Sequence, residues 1–184
     1  VDGNIRHPLP KYIPKHIAPL FKQLQSAYWE FMVSSRKPMR PGLIVQSAYC
    51  SSTYQMGILT RAIAAQGLER ALTGVMLPGA SQHNDYEHCA IDITNIGDIE
   101  GKIFGTDGKP IPFEITQEFQ WLLDNMARFK FWLPYFPDPK NPSSPLDQHG
   151  VLVEPWHMQF VSDAAERMVK YNVKELFFAR THAG

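Results

Sequence analysis

Apolar residues recur at helical spacing from Pro14 onward. Ile17, Leu20, Phe21, Leu24, Tyr28 and Phe31 fall along one side of a helix with proline in its first turn. That aromatic stripe predicts a face turned to the core. Beyond the loop 36–42 the period changes, and LIVQSAY at 43–49 begins β-branched and then alternates, as a strand does. Ser51 or Ser52 is placed to cap a second helix over 53–66, and Gly67 to end it. A further turn or two, LERALTGVM, runs to the loop LPGAS, where Pro78 and Gly79 turn the chain. In EHCAIDITNI at 87–96 the period is two, with His88, Ala90 and Asp92 on one face and Cys89, Ile91 and Ile93 on the other. Residues 97–113 are punctuated by Gly and Pro and contain TDGK, a tight-turn sequence that predicts a hairpin. ITQEFQWLLDNMARF then reads as a helix with Phe119, Leu122, Leu123 and Met126 inward. The Pro-rich stretch 134–150 predicts a surface loop placed to act as a lid. VLVE at 151–154 predicts a strand leading into Pro155, Trp156 and His157. SDAAERMVKYNVKELFF at 162–178 predicts one final helix capped by Ser162 or Asp163.

Helices and short strands therefore alternate without a regular strand, helix, strand rhythm and without a Gly-rich phosphate loop. The class this predicts is α+β. A chain of 184 residues suits one domain spanning 1–184, with residues 1–13 as an extended arm over it. Charge narrows the partners. Lys plus Arg and Asp plus Glu are 18 each, so no bulk field attracts nucleic acid or an anionic membrane. The longest apolar runs, such as FKFWLPYF at 129–136, are too short to span a bilayer. Two cysteines, Cys50 and Cys89, are too few for a disulfide framework and are expected as small buried hydrophobes. No basic and apolar leader is visible from Val1, so location is expected from the substrate rather than from a signal.

Two segments carry the chemistry. SQHNDYEHCAID at 81–92 and EPWH at 154–157 together hold His83, His88, Asp92, Glu154 and His157. A catalytic zinc site needs three N or O ligands, an open position, and a carboxylate nearby that is not a ligand. A mixed set of imidazoles and a carboxylate suits Zn²⁺ better than Ca²⁺ or Mg²⁺, which favour all-oxygen shells. Pro155 holds the residue before it in extended backbone, so Glu154 and His157 can turn into one cleft without sharing a helix face. The plainer reading of that pair is a surface salt bridge beside a packed Trp156. A cysteine nucleophile is the rival chemistry, but neither cysteine lies in a segment resembling a thiol-protease elbow.

Ser81, His83, Ala90 and Asp92, followed by Glu154, Trp156 and His157, resemble the paired motifs of the VanY-type zinc D-alanyl-D-alanine carboxypeptidases. That group includes VanX-type dipeptidases and phage L-alanyl-D-glutamate endopeptidases. The residues MQFV after His157 and the block QSAY at 46–49 extend the likeness over roughly residues 43–161. The resemblance implies a small antiparallel sheet flanked by helices, the fold shared with the hedgehog signalling domain. It implies Zn²⁺ held by His83, Asp92 and His157, with Glu154 as general base on the water the metal activates. It also implies substrate contacts from Ser81, Tyr49 and Gln55, with Trp156 as a pocket wall. For each of these the plain alternative is loop, core-packing or sheet-end roles.

Two departures from the motif stand out. Eight residues separate His83 from Asp92 where the family has six, and His88 occupies the place of a family glycine. His83 keeps the serine two residues before it. His88 stands as the alternative ligand, or as a donor behind the ligands or to substrate. Second, Cys50 replaces the arginine that in the family binds the substrate carbonyl or carboxylate; Arg36, Lys37, Arg40 and Arg128 are the candidates to compensate. The activity implied is hydrolysis of peptidoglycan stem peptides, as a D-alanyl-D-alanine carboxypeptidase. An L-alanyl-D-glutamate-type endopeptidase and a zinc-retaining, non-catalytic cell-wall-binding module are the alternatives. The location implied is the cell envelope, the periplasm or the exterior.

Overall fold

A computed structural model describes residues 11–35, 43–94, 103–104, 110–111 and 113–182. Residues 1–10 of the arm read over 1–13, the loop 36–42 and the TDGK turn lie outside the described residues. Four short strands form an antiparallel sheet: β1 (Ile44–Ser47), β2 (Ala90–Thr94), β5 (Phe131–Trp132) and β6 (His157–Phe160), in the spatial order β1, β2, β6, β5. Two further strands, β3 (Ile103–Phe104) and β4 (Pro110–Ile111), pair antiparallel on either side of TDGK. Six α-helices are described: α1 (Ala18–Ser34), α2 (Ser52–Gln66), α3 (Leu68–Gly74), α4 (Gln117–Asn125), α5 (Ala164–Lys170) and α6 (Val173–His182). The architecture is α+β, as the alternation of periods predicts.

Helix α1 buries Phe21, Leu24, Tyr28 and Met32, with Ile17 just before it, at the three- and four-residue spacing that a single face requires. Phe21 meets Phe131 of β5 edge-on at 6.1 Å, so the helix covers the sheet. Cys89, just before β2, and Ile91 and Ile93 on it are at most 1 % exposed and join this core. Helix α4 adds Phe119, Leu122 and Leu123, and Phe119 packs edge-on against Phe177 of α6 at 5.0 Å. Each such fully buried side chain contributes about 1.5–3 kcal/mol relative to exposure. The sheet is thus held rigidly from behind, and its other face is free to carry chemistry.

Helix α2 begins at Ser51, whose backbone is extended and whose Oγ accepts the N–H of Tyr54 at 3.2 Å. It ends at Gly67, at φ 83° and ψ 163°, a conformation open to glycine and strained for residues with a Cβ. Ser51→Ala is expected to lower the free energy of unfolding by about 1 kcal/mol. Urea denaturation checks this, and a loss of only a few tenths would show that the cap contributes little.

The elements differ from the sequence pattern near the C-terminus and elsewhere: the helix read through Phe129 ends at Asn125 and continues as a 3₁₀ turn over Met126–Phe129, and β5 follows it unforeseen. VLVE is not a strand. Leu152, Val153 and Glu154 donate their N–H groups to Thr73, Pro145 and Tyr135, three different segments, so no ladder forms and β6 begins only at His157. The final helix is two helices, broken where Asn172 adopts φ 49°, a left-handed conformation that Asn tolerates better than most residues.

Candidate active site

Register places the site. Asp92 of β2 stands directly opposite His157 of β6, and on the other side β1 meets Asp92 at Ser47 after a local shift in pairing. His83 comes from elsewhere, on a single 3₁₀ turn, Gln82–Asn84, whose cap Ser81 accepts the His83 N–H at 3.3 Å. Two bonds lock that turn to the chain beyond β1. Cys50 donates its N–H to the His83 carbonyl at 2.9 Å, and the Asn84 amide donates to the Cys50 carbonyl at 2.8 Å.

The result is a tight constellation. His157 Nδ1 lies 2.9 Å from Asp92 Oδ1 and 3.5 Å from Glu154 Oε2, while His83 Nε2 lies 3.2 Å from Asp92 Oδ2. One ligand-type atom from each of His83, Asp92 and His157 falls within 4.8 Å of the others. The imidazole rings meet edge-on at 4.9 Å, and the Tyr135 ring packs at 4.9 Å against His157. A cleft of about 270 Å³ opens over the group, with Ser81, Gln55, Val151 and Trp156 in its lining.

The other nitrogen of each ring decides what this group suits. His83 Nδ1 donates to the Ala90 carbonyl at 3.1 Å, since a carbonyl only accepts. Its Nε2 lone pair is then directed at the Asp92 carboxylate. His157 Nε2 donates to Gln82 Oε1 at 2.9 Å, which turns its Nδ1 lone pair toward Asp92 and Glu154. Lone pairs facing carboxylate oxygens repel unless a proton or a cation lies between them. Two imidazoles with fixed tautomers and one carboxylate, with backbone and amide partners behind them, are the donor set a catalytic zinc ion takes. The residues fit that metal.

Proton affinities follow from the same contacts. Burial opposes the charge on Asp92, yet the hydrogen bonds and charge that His157 and His83 supply in their doubly protonated forms outweigh it and hold the carboxyl well below the usual range. Burial, the largest influence on His157, lowers its affinity for a proton. His83 moves up despite burial, because it faces Asp92. Glu154 is pushed up to about 7, first by burial and then by the charge of Asp92. Burial and the charges of Glu154, Asp147 and Asp92 push the Tyr135 hydroxyl up to about 12, so it keeps its proton at neutral pH.

The family model of D-alanyl-D-alanine carboxypeptidase, VanY, matches residues 13–163. The chain belongs to the VanY family. No curated protein sequence matches it. Among solved structures, one similar fold is the LdcB LD-carboxypeptidase, at 24 % identity and a TM-score of 0.62 over 90 % of this chain and 68 % of that one. Another is a mutant of the vancomycin-resistance D,D-pentapeptidase VanY from a VanB-type cassette, in complex with Zn(II). It is 26 % identical, with a TM-score of 0.61 over 90 % of this chain and 84 % of that one. The L,D-carboxypeptidase DacB from Streptococcus pneumoniae is 22 % identical, with a TM-score of 0.55 over 90 % of this chain and 75 % of that one.

Within this VanY-family fold the residues singled out in the sequence sort into three places. His83, Asp92, His157 and Glu154 come together. Ser81 and Gln55 are buried at the cleft, and Trp156, 38 % exposed, forms part of its rim. The Gln55 amide is already engaged, donating to the Met76 carbonyl at 2.9 Å and accepting from the Cys50 thiol at 3.6 Å. Tyr49 and His88 lie elsewhere. Tyr49 lines a neighbouring groove, and His88 is exposed, paired with Asp85 at 3.2 Å. Arg128 is also remote, held by Asn125; Arg36, Lys37 and Arg40 lie outside the described residues. Gln82 and Tyr135 were not singled out from the sequence. Gln82 stands between two motif residues, and Tyr135 was hidden in an apolar run.

Proposed function

We propose that the protein is a zinc-dependent peptidase that hydrolyses peptidoglycan stem peptides outside the cytoplasm, as a D-alanyl-D-alanine carboxypeptidase. One observation carries the reading. In a chain of the VanY family, His83, Asp92 and His157 converge with tautomers set for a cation, and Glu154 stands 3.5 Å from His157. The related VanY structure holds Zn(II), and VanYB has been seen with D-alanine-D-alanine, which supports both metal and substrate class.

His83, Asp92 and His157 would hold the zinc, which when bound would supply Lewis acidity toward the scissile carbonyl and toward water. Glu154 acts beside it as the base. Burial and the charge of Asp92 raise its proton affinity above that of an ordinary carboxyl, which suits a group that both accepts and returns a proton. It takes the proton of the attacking water as the new C–O bond forms. It then gives that proton to the leaving amine as the C–N bond breaks. Ser81 keeps its own O–H free to donate while its oxygen caps the His83 turn. The Tyr135 hydroxyl stays protonated and offers a second donor at the cleft.

A second reading, cleavage of an internal bond in the L-alanyl-D-glutamate manner, draws on Cys50. Among the described residues that line the cleft there is no Lys or Arg to hold a free C-terminal carboxylate. Incubation with muropeptides bearing pentapeptide stems tests both. Release of D-alanine, stopped by a chelator and restored by zinc, is expected. Chelator-sensitive release of longer fragments would assign the internal bond instead. Absence of any cleavage by zinc-loaded protein would leave a binding module and end the peptidase reading.

A further inference from the structure

Beside the catalytic cleft lies a larger groove of about 750 Å³, a volume typical of ligand sites. The two are neighbours that share a wall. Ser47, Cys50 and Ile58 line both, and of these Cys50 stands where the family motif has a long arginine. The groove is walled by Tyr12, Tyr49, Tyr54 and Tyr86, and Lys11 and Lys15 belong to its lining. Its shape is built into the fold rather than left to loose side chains. Tyr49 donates its N–H to the Tyr12 carbonyl at 2.9 Å, which fixes the segment after residue 10 alongside the end of β1. Tyr49 and Tyr86 then meet edge-on at 5.7 Å.

Yet the inner surface is not covered. Tyr12 is 65 % exposed, Tyr54 49 % and Tyr86 47 %. Such rings offer an apolar face and a polar tip, the amphipathic character that recognition surfaces favour. Neither lysine has an ion-pair partner among the described residues, although both are exposed at the groove. The catalytic cleft is different in kind, carrying Asp92 and Glu154 and, among its described lining residues, no Lys or Arg. A substrate laid through both cavities therefore meets a small acidic chamber and a long basic, tyrosine-lined channel.

We infer that this groove binds the acyl-side continuation of the substrate, a peptide segment bearing a free carboxylate that Lys11 and Lys15 pair with while the tyrosines cover its backbone and apolar side chains. The inference rests on the peptidase reading for the position of the scissile bond. The leaving portion then occupies the 270 Å³ cleft, and the part of the stem toward its acidic residue runs past Cys50 into the groove. Attraction to exposed lysines is screened by salt, whereas contact with the tyrosines is not, so the two contributions are separable.

The test uses two synthetic stem peptides, one with the acidic residue's carboxylate free and one with it amidated, and a truncated peptide that ends before that residue. Dissociation constants are measured by titration calorimetry on the full chain, and KM and kcat on the zinc-loaded protein. The free acid is expected to bind about fivefold more tightly than the amide at low salt. That preference should shrink toward one in K11A/K15A and in high salt, while Tyr12→Ser weakens acid and amide alike. If the native protein binds acid, amide and truncated peptide equally, the groove takes no acyl segment and the inference falls, whatever the protein cleaves. If the acid preference is found and depends on the lysines but nothing is hydrolysed, the groove stands and the peptidase reading fails. A preference that survives K11A/K15A overturns the lysine assignment.

Discussion

Glu154→Gln is expected to lower kcat by about 10²- to 10⁴-fold, the range general acid–base catalysis contributes, while zinc stays bound. The substitution keeps shape and hydrogen-bonding reach and removes only the ability to take a proton. Glu154 is not one of the three groups that converge as a donor set, so metal content should not follow activity down. The pH profile gives the sign independently. As a base, Glu154 must be deprotonated, and burial with the neighbouring Asp92 raises it to about 7, above an ordinary carboxyl. A cation held beside it favours the charged form and moves that value down again. The native protein should therefore lose activity as pH falls through an acid limb below about 7, and the Gln variant's residual activity should lack that limb. Full activity in the variant, or an unchanged acid limb, would remove Glu154 from the mechanism.

How much of this was legible in the sequence depends on the kind of signal each residue carried. From Cys89 to Ile93 the period of two separated core from site, because a strand offers only two faces: Cys89, Ile91 and Ile93 are buried while Asp92 faces the cleft, whereas His88, read onto the same face as Asp92, lies before the strand in an exposed turn. The spacing from His83 to Asp92 was harder. Two additional residues left His83 and His88 as rivals, and pattern alone could not say where the extra length would go. In the structure it goes outward. Asp85 accepts the N–H groups of Glu87 and His88 at 2.9 and 3.0 Å, a self-contained surface turn, and His83 faces Asp92. VLVE read as a strand running into Pro155, but a ladder needs one continuous partner and this segment bonds to three. The hinge at Asn172 was likewise invisible to helical periodicity, which counts side chains and not φ. The Pro-rich stretch 134–150 illustrates the limit in another way. Its buried Asp147 accepts the N–H groups of His149 and Val151, and Arg180 of α6 reaches the Ser144 and Pro142 carbonyls, so a stretch that reads as free surface loop is bonded to the body of the fold.

Gln82 is the residue whose meaning only the fold discloses, and its loss should be felt in metal affinity rather than in folding. Its amide oxygen lies 2.9 Å from Nε2 of His157, a ring only 3 % exposed, so an unpartnered Nε2 there is costly. With that acceptor present the proton sits on Nε2 and Nδ1 is free to bind a cation. Without it, the ring gains by placing its proton on Nδ1, toward Asp92 at 2.9 Å, which blocks the nitrogen that a metal needs. Gln82→Leu is therefore expected to weaken zinc binding by about 10- to 100-fold, the usual effect of removing a partner that orients a ligand. Gln82→Glu, which keeps an acceptor, should retain affinity close to the native value. Competition with a chromophoric chelator measures the affinity, and ¹⁵N chemical shifts of the His157 ring in the zinc-free protein report the tautomer directly. A merely structural glutamine would change stability and leave the tautomer alone. Native zinc affinity in Gln82→Leu, with the proton still on Nε2, would show that the orientation of His157 is set by something other than this amide.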